Sequence, residues 1–133
     1  MKLIDAEAYT SSWLIIRLLM SSMFVESGID KLLHWNEYLA ETLIKGIPLP
    51  GLSLPLVIAT EIIGSATLVS GIYIRPGAMI LVGYVFTLNI VYFDFWHQDG
   101  MDAVMARKEF LKNFAVVAGL LLIALVARDS KSR

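Results

Sequence analysis

The residues that can do chemistry are few, and they lie inside apolar stretches of a 133-residue chain. A charged side chain at the centre of a membrane helix costs about 2.5–3.5 kcal/mol, so such residues usually serve a function. With a helical rise of about 1.5 Å per residue, one candidate from each of four helices falls in the same half of a membrane bundle. With the arginine of the first helix added, we predict an intramembrane ligand-binding cluster of Arg17, Glu26, Glu61, Asn89 and Asn113.

Glu61 is the most informative member of this cluster. The small residues Thr60, Gly64, Thr67 and Gly71 recur beside it at helical spacing, which is typical of a close-packed helix face. Such a face predicts that Glu61 points into the bundle. Two interpretations stay open, a carboxylate that accepts a proton or binds a ligand, and a structural hydrogen bond between helices.

The other two charged members are less determined. An ion pair between Arg17 and Glu61 would have to span about 10 Å along the bundle axis. The two side chains lean apart, because each leans toward the N-terminus of its own helix. There are two alternatives for Arg17. Its side chain extends to the nearer membrane surface, or it pairs with Thr67, Ser70 or Tyr84. Glu26 lies about half a turn from Arg17, so it is predicted to face another helix, an oligomer partner or the interface.

Both histidines follow an aspartate at helical spacing. Asp30 precedes His34 by four residues and Asp94 precedes His97 by three, so each carboxylate is positioned to orient an imidazole. The spacing is not that of a known metal motif. We therefore predict no metal site, with His34 and His97 as weak candidates.

The elements that position these residues are four apolar stretches at residues 13–33, 54–74, 77–96 and 110–126. Each approaches the roughly 20 residues that a helix needs to cross a bilayer. Backbone groups in lipid must be satisfied within their own segment, so the stretches predict helices. The expected fold is all-α, a transmembrane four-helix bundle in one domain (1–133), with an amphipathic interfacial segment at 35–45 and both termini on one side.

Composition and charge support a multi-pass membrane protein in contact with the lipid bilayer. Hydrophobic residues make up 57% of the chain, and the net charge of −1 gives no support for nucleic acid binding. The absence of cysteine excludes thiol chemistry.

We name the side of the N-terminus side A and the other side B. Bases divide evenly between the two sides, and the basic tail favours cytoplasmic termini, in the inner or plasma membrane if the source is bacterial.

The order of residues resembles the DoxX family of small four-helix membrane proteins along nearly the whole chain. The first helix carries an R…F…G-x-x-K-L pattern, followed by a G-x-P turn, an E…G…L…G helix, a short basic turn and an E…K-N…G run. The matching residues are Arg17, Phe24, Gly28, Lys31, Leu32, Gly46, Ile47, Pro48, Glu61, Gly64, Leu68, Gly71, Arg75, Pro76, Gly77, Ala78, Glu109, Lys112, Asn113 and Gly119.

This resemblance implies a redox-associated membrane subunit that interacts with a quinone, with Arg17, Glu61 and Asn89 as the candidate lining of its site. The chain has no glycine-rich nucleotide motif and no haem-attachment motif, so we expect it to act with a membrane partner or as a homo-oligomer rather than as a complete enzyme. The alternatives are a non-catalytic subunit or assembly factor and, less favoured, a small proton-coupled transporter.

Overall fold

The computed structural model describes residues 6–129, which form five α-helices and a short 3-10 helix. The helices are α1 (Ala6–Leu33), α2 (Trp35–Ile44), α3 (Pro50–Ser70), α4 (Ile74–Val91) and α5 (Gly100–Asp129), with the 3-10 turn at Phe95–His97. Over these residues four segments are long and apolar enough to cross a membrane: Thr10–Leu33, Pro50–Ser70, Ile74–His97 and Gly100–Ala127. The predicted all-α fold with four spans is confirmed.

Neighbouring helices run in opposite directions. Arg17, in the first half of α1, lies beside Gly71 at the end of α3, whereas Lys31, near the end of α1, contacts Glu61 in the middle of α3. The prediction of two cytoplasmic termini on one side depends on residues 1–5 and 130–133, which lie outside the described residues. It stays a prediction.

Glycines set the close spacing of α3 and α4. A Cβ atom at Gly64 would lie 2.7 Å from Leu81, and one at Gly77 would collide with Thr67. The small-residue face predicted on α3 therefore packs within this chain. The core around this contact is formed by residues from all four spanning helices: Phe24, Leu68, Ala78, Leu81, Val82, Val85, Val117, Leu120, Ile123 and Ala124.

The helix boundaries differ from the predicted ones in a consistent way. The helices predicted at 54–74 and 77–96 are shifted toward the N-terminus, because Gly71 (φ 80°) ends α3 and Tyr73 (φ 55°) precedes α4. Pro76 lies in the first turn of α4, where a proline is tolerated because its missing N–H would have no partner within the helix. The helix predicted at 110–126 begins earlier, at Gly100. The charged residues that precede the apolar stretch are also helical.

The interfacial segment forms a helix, α2. The sequence predicts one face of Trp35, Tyr38, Leu39 and Leu43, and the structure replaces Leu43 by Thr42 on that face. Thr42 is buried and donates a hydrogen bond to the Tyr38 carbonyl, while Leu43 is exposed. The inner face of α2 is therefore formed by Trp35, Tyr38, Leu39 and Thr42, which lie three or four residues apart on one side of the helix. This face brings Tyr38 next to the end of α1.

Candidate functional site

Glu61 is the centre of a buried polar cluster between α1, α3 and α4. The residue is 1% exposed, and its Oε1 atom accepts hydrogen bonds from Ser27 Oγ at 2.9 Å and from the Tyr84 hydroxyl at 2.5 Å. The Lys31 ammonium donates to both carboxylate oxygens, at 3.1 Å and 3.3 Å. We call Ser27, Lys31, Glu61 and Tyr84 the carboxylate centre.

Lys31 is the cation of this centre, a role that sequence reasoning missed. A lysine near a helix end normally extends toward the membrane surface. Lys31 instead turns inward, and its side chain is 13% exposed. Lys31 leans toward the start of α1 and Glu61 toward the start of α3, and because the helices are antiparallel the two converge. The lean of side chains toward the N-terminus of their own helix, which argued against an Arg17–Glu61 ion pair, therefore favours a Lys31–Glu61 ion pair.

Close helix packing brings the two hydroxyl groups to Glu61. A Cβ atom at Gly28 would lie 2.7 Å from Ile62, so α1 approaches α3 at the level of Ser27. The contact of Gly64 with Leu81 likewise brings α4, which carries Tyr84, close to α3. Tyr84, considered from the sequence as a partner of Arg17, binds Glu61 instead. Its ring also packs on Phe24, with centroids 6.4 Å apart.

The geometry determines what the centre can do chemically. An ionised Glu61 and a protonated Lys31 balance each other's charge, which a buried carboxylate requires. Three donors converge on one oxygen atom. If Glu61 gains a proton, its need for these donors falls, and they become available to another acceptor. The arrangement therefore couples the protonation of a carboxylate to the availability of hydrogen-bond donors inside the bundle.

Asn89 and Asn113 form a second polar contact, between α4 and α5. Asn113 Nδ2 donates to Asn89 Oδ1 at 2.8 Å, and Asn89 Nδ2 donates to the Phe110 carbonyl at 3.2 Å. Asn89 lies five residues beyond Tyr84, about 7.5 Å further along α4. The structure thus divides the predicted cluster, because in the described chain no hydrogen bond joins this amide pair to Glu61.

Arg17 does not join the carboxylate centre. Its guanidinium lies 5.4 Å from the Trp13 ring centroid, and Nη1 lies 2.8 Å from the position of a Cβ atom on Gly71. Gly71 follows the last residue of α3, about 15 Å along that helix from Glu61. The Arg17 guanidinium therefore lies beside the α3–α4 turn and not beside Glu61.

Glu26 is also outside the cluster. The residue is exposed on the outer surface of α1, whereas its neighbour Ser27 turns toward Glu61. One residue of helix rotates a side chain by about 100°, so the two cannot share a face. Among the sequence-predicted site residues, Glu61 alone belongs to the carboxylate centre.

Both aspartate–histidine pairs form as predicted. Asp30 lies 2.9 Å from His34 Nδ1 and Asp94 lies 3.2 Å from His97 Nδ1. Within residues 6–129, no three His, Asp or Glu side chains are grouped to hold a metal ion. A hydrogen bond to the Asp30 carbonyl, with the Asp30 charge, raises the pKa of His34 above its ordinary 6.5.

The His34 pair borders a cleft of about 310 Å³ at the side B end, lined by Asp30, His34, Glu37, Tyr38 and Glu41. The Tyr38 hydroxyl donates to Asp30 Oδ2 at 2.5 Å. This hydrogen bond raises the pKa of Tyr38 to about 12, so the hydroxyl keeps its proton at neutral pH. Asp30, which lines the cleft, directly precedes Lys31 of the carboxylate centre in α1.

Fold and site together define a helical integral membrane protein with four spans and a buried lysine–glutamate pair. The DoxX family model matches residues 12–93, more than half of the chain, and the protein belongs to the DoxX family.

Two curated proteins of Escherichia coli K12 are similar to this chain. The inner membrane protein YqjF is 28% identical over 119 residues, which cover 90% of this chain and 86% of that protein. The inner membrane protein YphA is 25% identical over 113 residues, covering 84% and 80%. No solved structure matches the chain. The family membership is thus shown by sequence comparison, and the four spans are found in the structure as well.

Proposed function

We propose that the protein is a redox-associated subunit of the inner membrane that binds a quinone and supplies it with a proton through Glu61. The observation that carries the proposal is the convergence of Ser27, Lys31 and Tyr84 on one buried oxygen of Glu61. Both similar Escherichia coli proteins are inner membrane proteins. A redox role is what the family resemblance implies.

The donor set fits the chemistry of a quinone headgroup. A quinone carries carbonyl oxygens, which need hydrogen-bond donors and take up protons when the ring is reduced. Tyr84 and Lys31 are such donors, and at present both are held by Glu61. Protonation of Glu61 would release them for a carbonyl oxygen, and Glu61 would then hold one of the two protons that the ring takes up when two electrons reduce it. Electrons come from a partner protein that carries the electron-transfer cofactor.

The alternative of a non-catalytic subunit or assembly factor is less favoured by the packing. It relied on small-residue faces that contact other membrane proteins. In the structure Gly28, Gly64 and Gly77 contact Ile62, Leu81 and Thr67 of the same chain. The transporter alternative has no specific observation in its favour.

The experiment is a binding titration with a short-chain ubiquinone analogue. The purified protein is placed in lipid nanodiscs, and quenching of tryptophan fluorescence is followed at several pH values. We expect wild-type binding to strengthen as pH falls, because protonated Glu61 releases its donors. Glu61→Gln should bind without this pH dependence, and Tyr84→Phe should bind about tenfold more weakly at every pH.

Glu26→Gln is the matched control, because it makes the same chemical change on the outer surface of α1. It should keep the pH dependence of the wild type. Binding that is absent from the wild type, or that keeps its pH dependence in Glu61→Gln, would overturn the proposal.

A further inference from the structure

Tyr38 stands between the side B cleft and the cation of the carboxylate centre. It lines the cleft together with Asp30, His34, Glu37 and Glu41. The face of its ring lies toward Lys31, whose Nζ atom is 5.3 Å from the ring centroid. Lys31 in turn contacts Glu61. One aromatic side chain thus touches both the water-facing cleft and the ion pair beneath it.

Two interactions hold Tyr38 in this position. Its hydroxyl donates to Asp30 Oδ2 at 2.5 Å, and its ring face attracts the Lys31 ammonium, as cations over aromatic rings generally do. Asp30 is itself 2.9 Å from His34 Nδ1. The ring therefore shields Lys31 from the cleft, and the Asp30 carboxylate fixes the ring.

From this arrangement we infer that protons reach Glu61 from side B through Lys31, and that Tyr38 controls this access. The inference rests on the proposed function, since it describes how Glu61 regains a proton after giving one to the quinone. In the transfer the Lys31 ammonium gives one proton to the Glu61 carboxylate, which leaves a neutral amine and a neutral acid. The amine then takes a proton from water in the cleft. The net result is one proton moved from side B water to Glu61.

The surrounding groups favour this direction. Glu61 faces Ser27 and Lys31 on α1 and Tyr84 on α4, and all three donate to it. Lys31 also donates to Ser27. The cleft side of Tyr38 faces the carboxylates of Asp30, Glu37 and Glu41 and the imidazole of His34, and the charge of Glu26 on α1 also acts on Tyr38. Protons are therefore concentrated on the outer side of the ring.

The test is the rate at which Glu61 takes up a proton after a pH jump, in nanodiscs that contain no quinone. Infrared difference spectroscopy follows the carbonyl stretch of the protonated acid, which is assigned by its loss in Glu61→Gln. Tyr38→Ala removes the ring and should speed uptake about tenfold, as expected when a gate is opened. Tyr38→Phe keeps the ring but loses the Asp30 contact, and should give a smaller increase of about twofold to threefold.

Tyr92→Ala is the matched control. Its ring lies near Lys45, with Nζ 5.7 Å from the centroid, in the same kind of contact without Glu61. Uptake in this variant should equal that of the wild type. An equal rate in the wild type, Tyr38→Ala and Tyr38→Phe would overturn the control of proton access by Tyr38 and would leave the proposed function standing. If Tyr38→Ala does not fold, the equal rate of Tyr38→Phe decides against the gate.

The outcomes separate the inference from the proposed function. Faster uptake in the Tyr38 variants supports the gate even if the quinone titration fails. An acid signal that never appears in the wild type contradicts both, because Glu61 then takes no proton.

Discussion

The two buried polar contacts of this bundle differ in charge, and that difference decides which of them contains a group that can exchange a proton. Between α1, α3 and α4, a carboxylate is held by an ammonium and two hydroxyls. Between α4 and α5, two neutral amides bond to each other and to a carbonyl. In both contacts the buried polar side chains have hydrogen-bond partners. Only the first can gain or lose a proton, and for this reason we propose function at Glu61 and packing specificity at Asn89 and Asn113.

The largest effect is expected from removing the cation alone. Lys31→Met leaves Glu61 as a buried carboxylate without its counter-charge, which typically costs about 3–5 kcal/mol of unfolding free energy. The double variant Lys31→Met/Glu61→Gln should recover most of that loss. Thermal unfolding in nanodiscs measures both.

Lys112→Met is the control for this change. Lys112 pairs with Glu109 on the exposed face of α5, and such pairs contribute about 0–1 kcal/mol. If Lys31→Met and Lys112→Met lower stability equally, the carboxylate centre is not the coupled pair described above.

The next effect concerns the packing that brings Tyr84 to Glu61. Gly64→Ala would place a Cβ atom 2.7 Å from buried Leu81, and overpacking of this kind costs about 1–3 kcal/mol. Gly83→Ala adds the same group to α4 in open space, where nothing lies within 4 Å. We expect Gly64→Ala, and not Gly83→Ala, to lower the melting temperature and weaken quinone binding. Equal melting temperatures would contradict the close approach of α3 and α4.

A smaller effect is expected at the amide pair. Asn113→Leu removes one hydrogen bond between helices, and such bonds in membranes average about 0.6 kcal/mol with a maximum of about 1.7 kcal/mol. Quinone binding and its pH dependence should be unchanged. The stability is measured by thermal unfolding and the binding by fluorescence quenching. A loss of the pH dependence would show that the two polar contacts act as one site.

The smallest effect is the pH dependence contributed by His34. Its pKa is raised in the folded protein, so its stabilisation is fully present below 6.5 and is lost as pH rises through the higher folded value. The melting temperature should therefore decline slightly over that window. His34→Gln should flatten the decline, whereas Asn113→Leu should leave it intact. A decline of equal slope in His34→Gln would exclude His34 as its cause.

Much of the fold was predictable because apolar length and the need for internal hydrogen bonds leave helices as the natural solution. The inward direction of Glu61 was also predictable, from the small residues beside it. The start of α5 was not, because Asp102, Arg107 and Lys108 resemble a loop when only hydropathy is considered. That helix continues past the apolar part, and hydropathy alone does not mark where it begins.

The membership of the site was predictable only in part, because depth along a helix does not fix which face a residue occupies. Glu26 has the depth of the centre but the wrong face. Arg17 was included in the cluster on its position within the first helix, whereas its guanidinium lies beside Gly71 at the end of α3. Lys31 lies near the end of the first apolar stretch, and its role could be found only from the direction in which its side chain leans. Side-chain direction, combined with antiparallel packing, carries the missing information.

The most direct test of the account is the number of protons taken up when the quinone analogue binds. Isothermal titration calorimetry in buffers with different ionisation enthalpies gives this number for the wild type, Glu61→Gln and Asn113→Leu. Binding coupled to protonation of Glu61 predicts uptake approaching about one proton per quinone in the wild type and in Asn113→Leu, and none in Glu61→Gln. Equal uptake in Glu61→Gln and the wild type would contradict the assignment of Glu61 as the proton-handling residue.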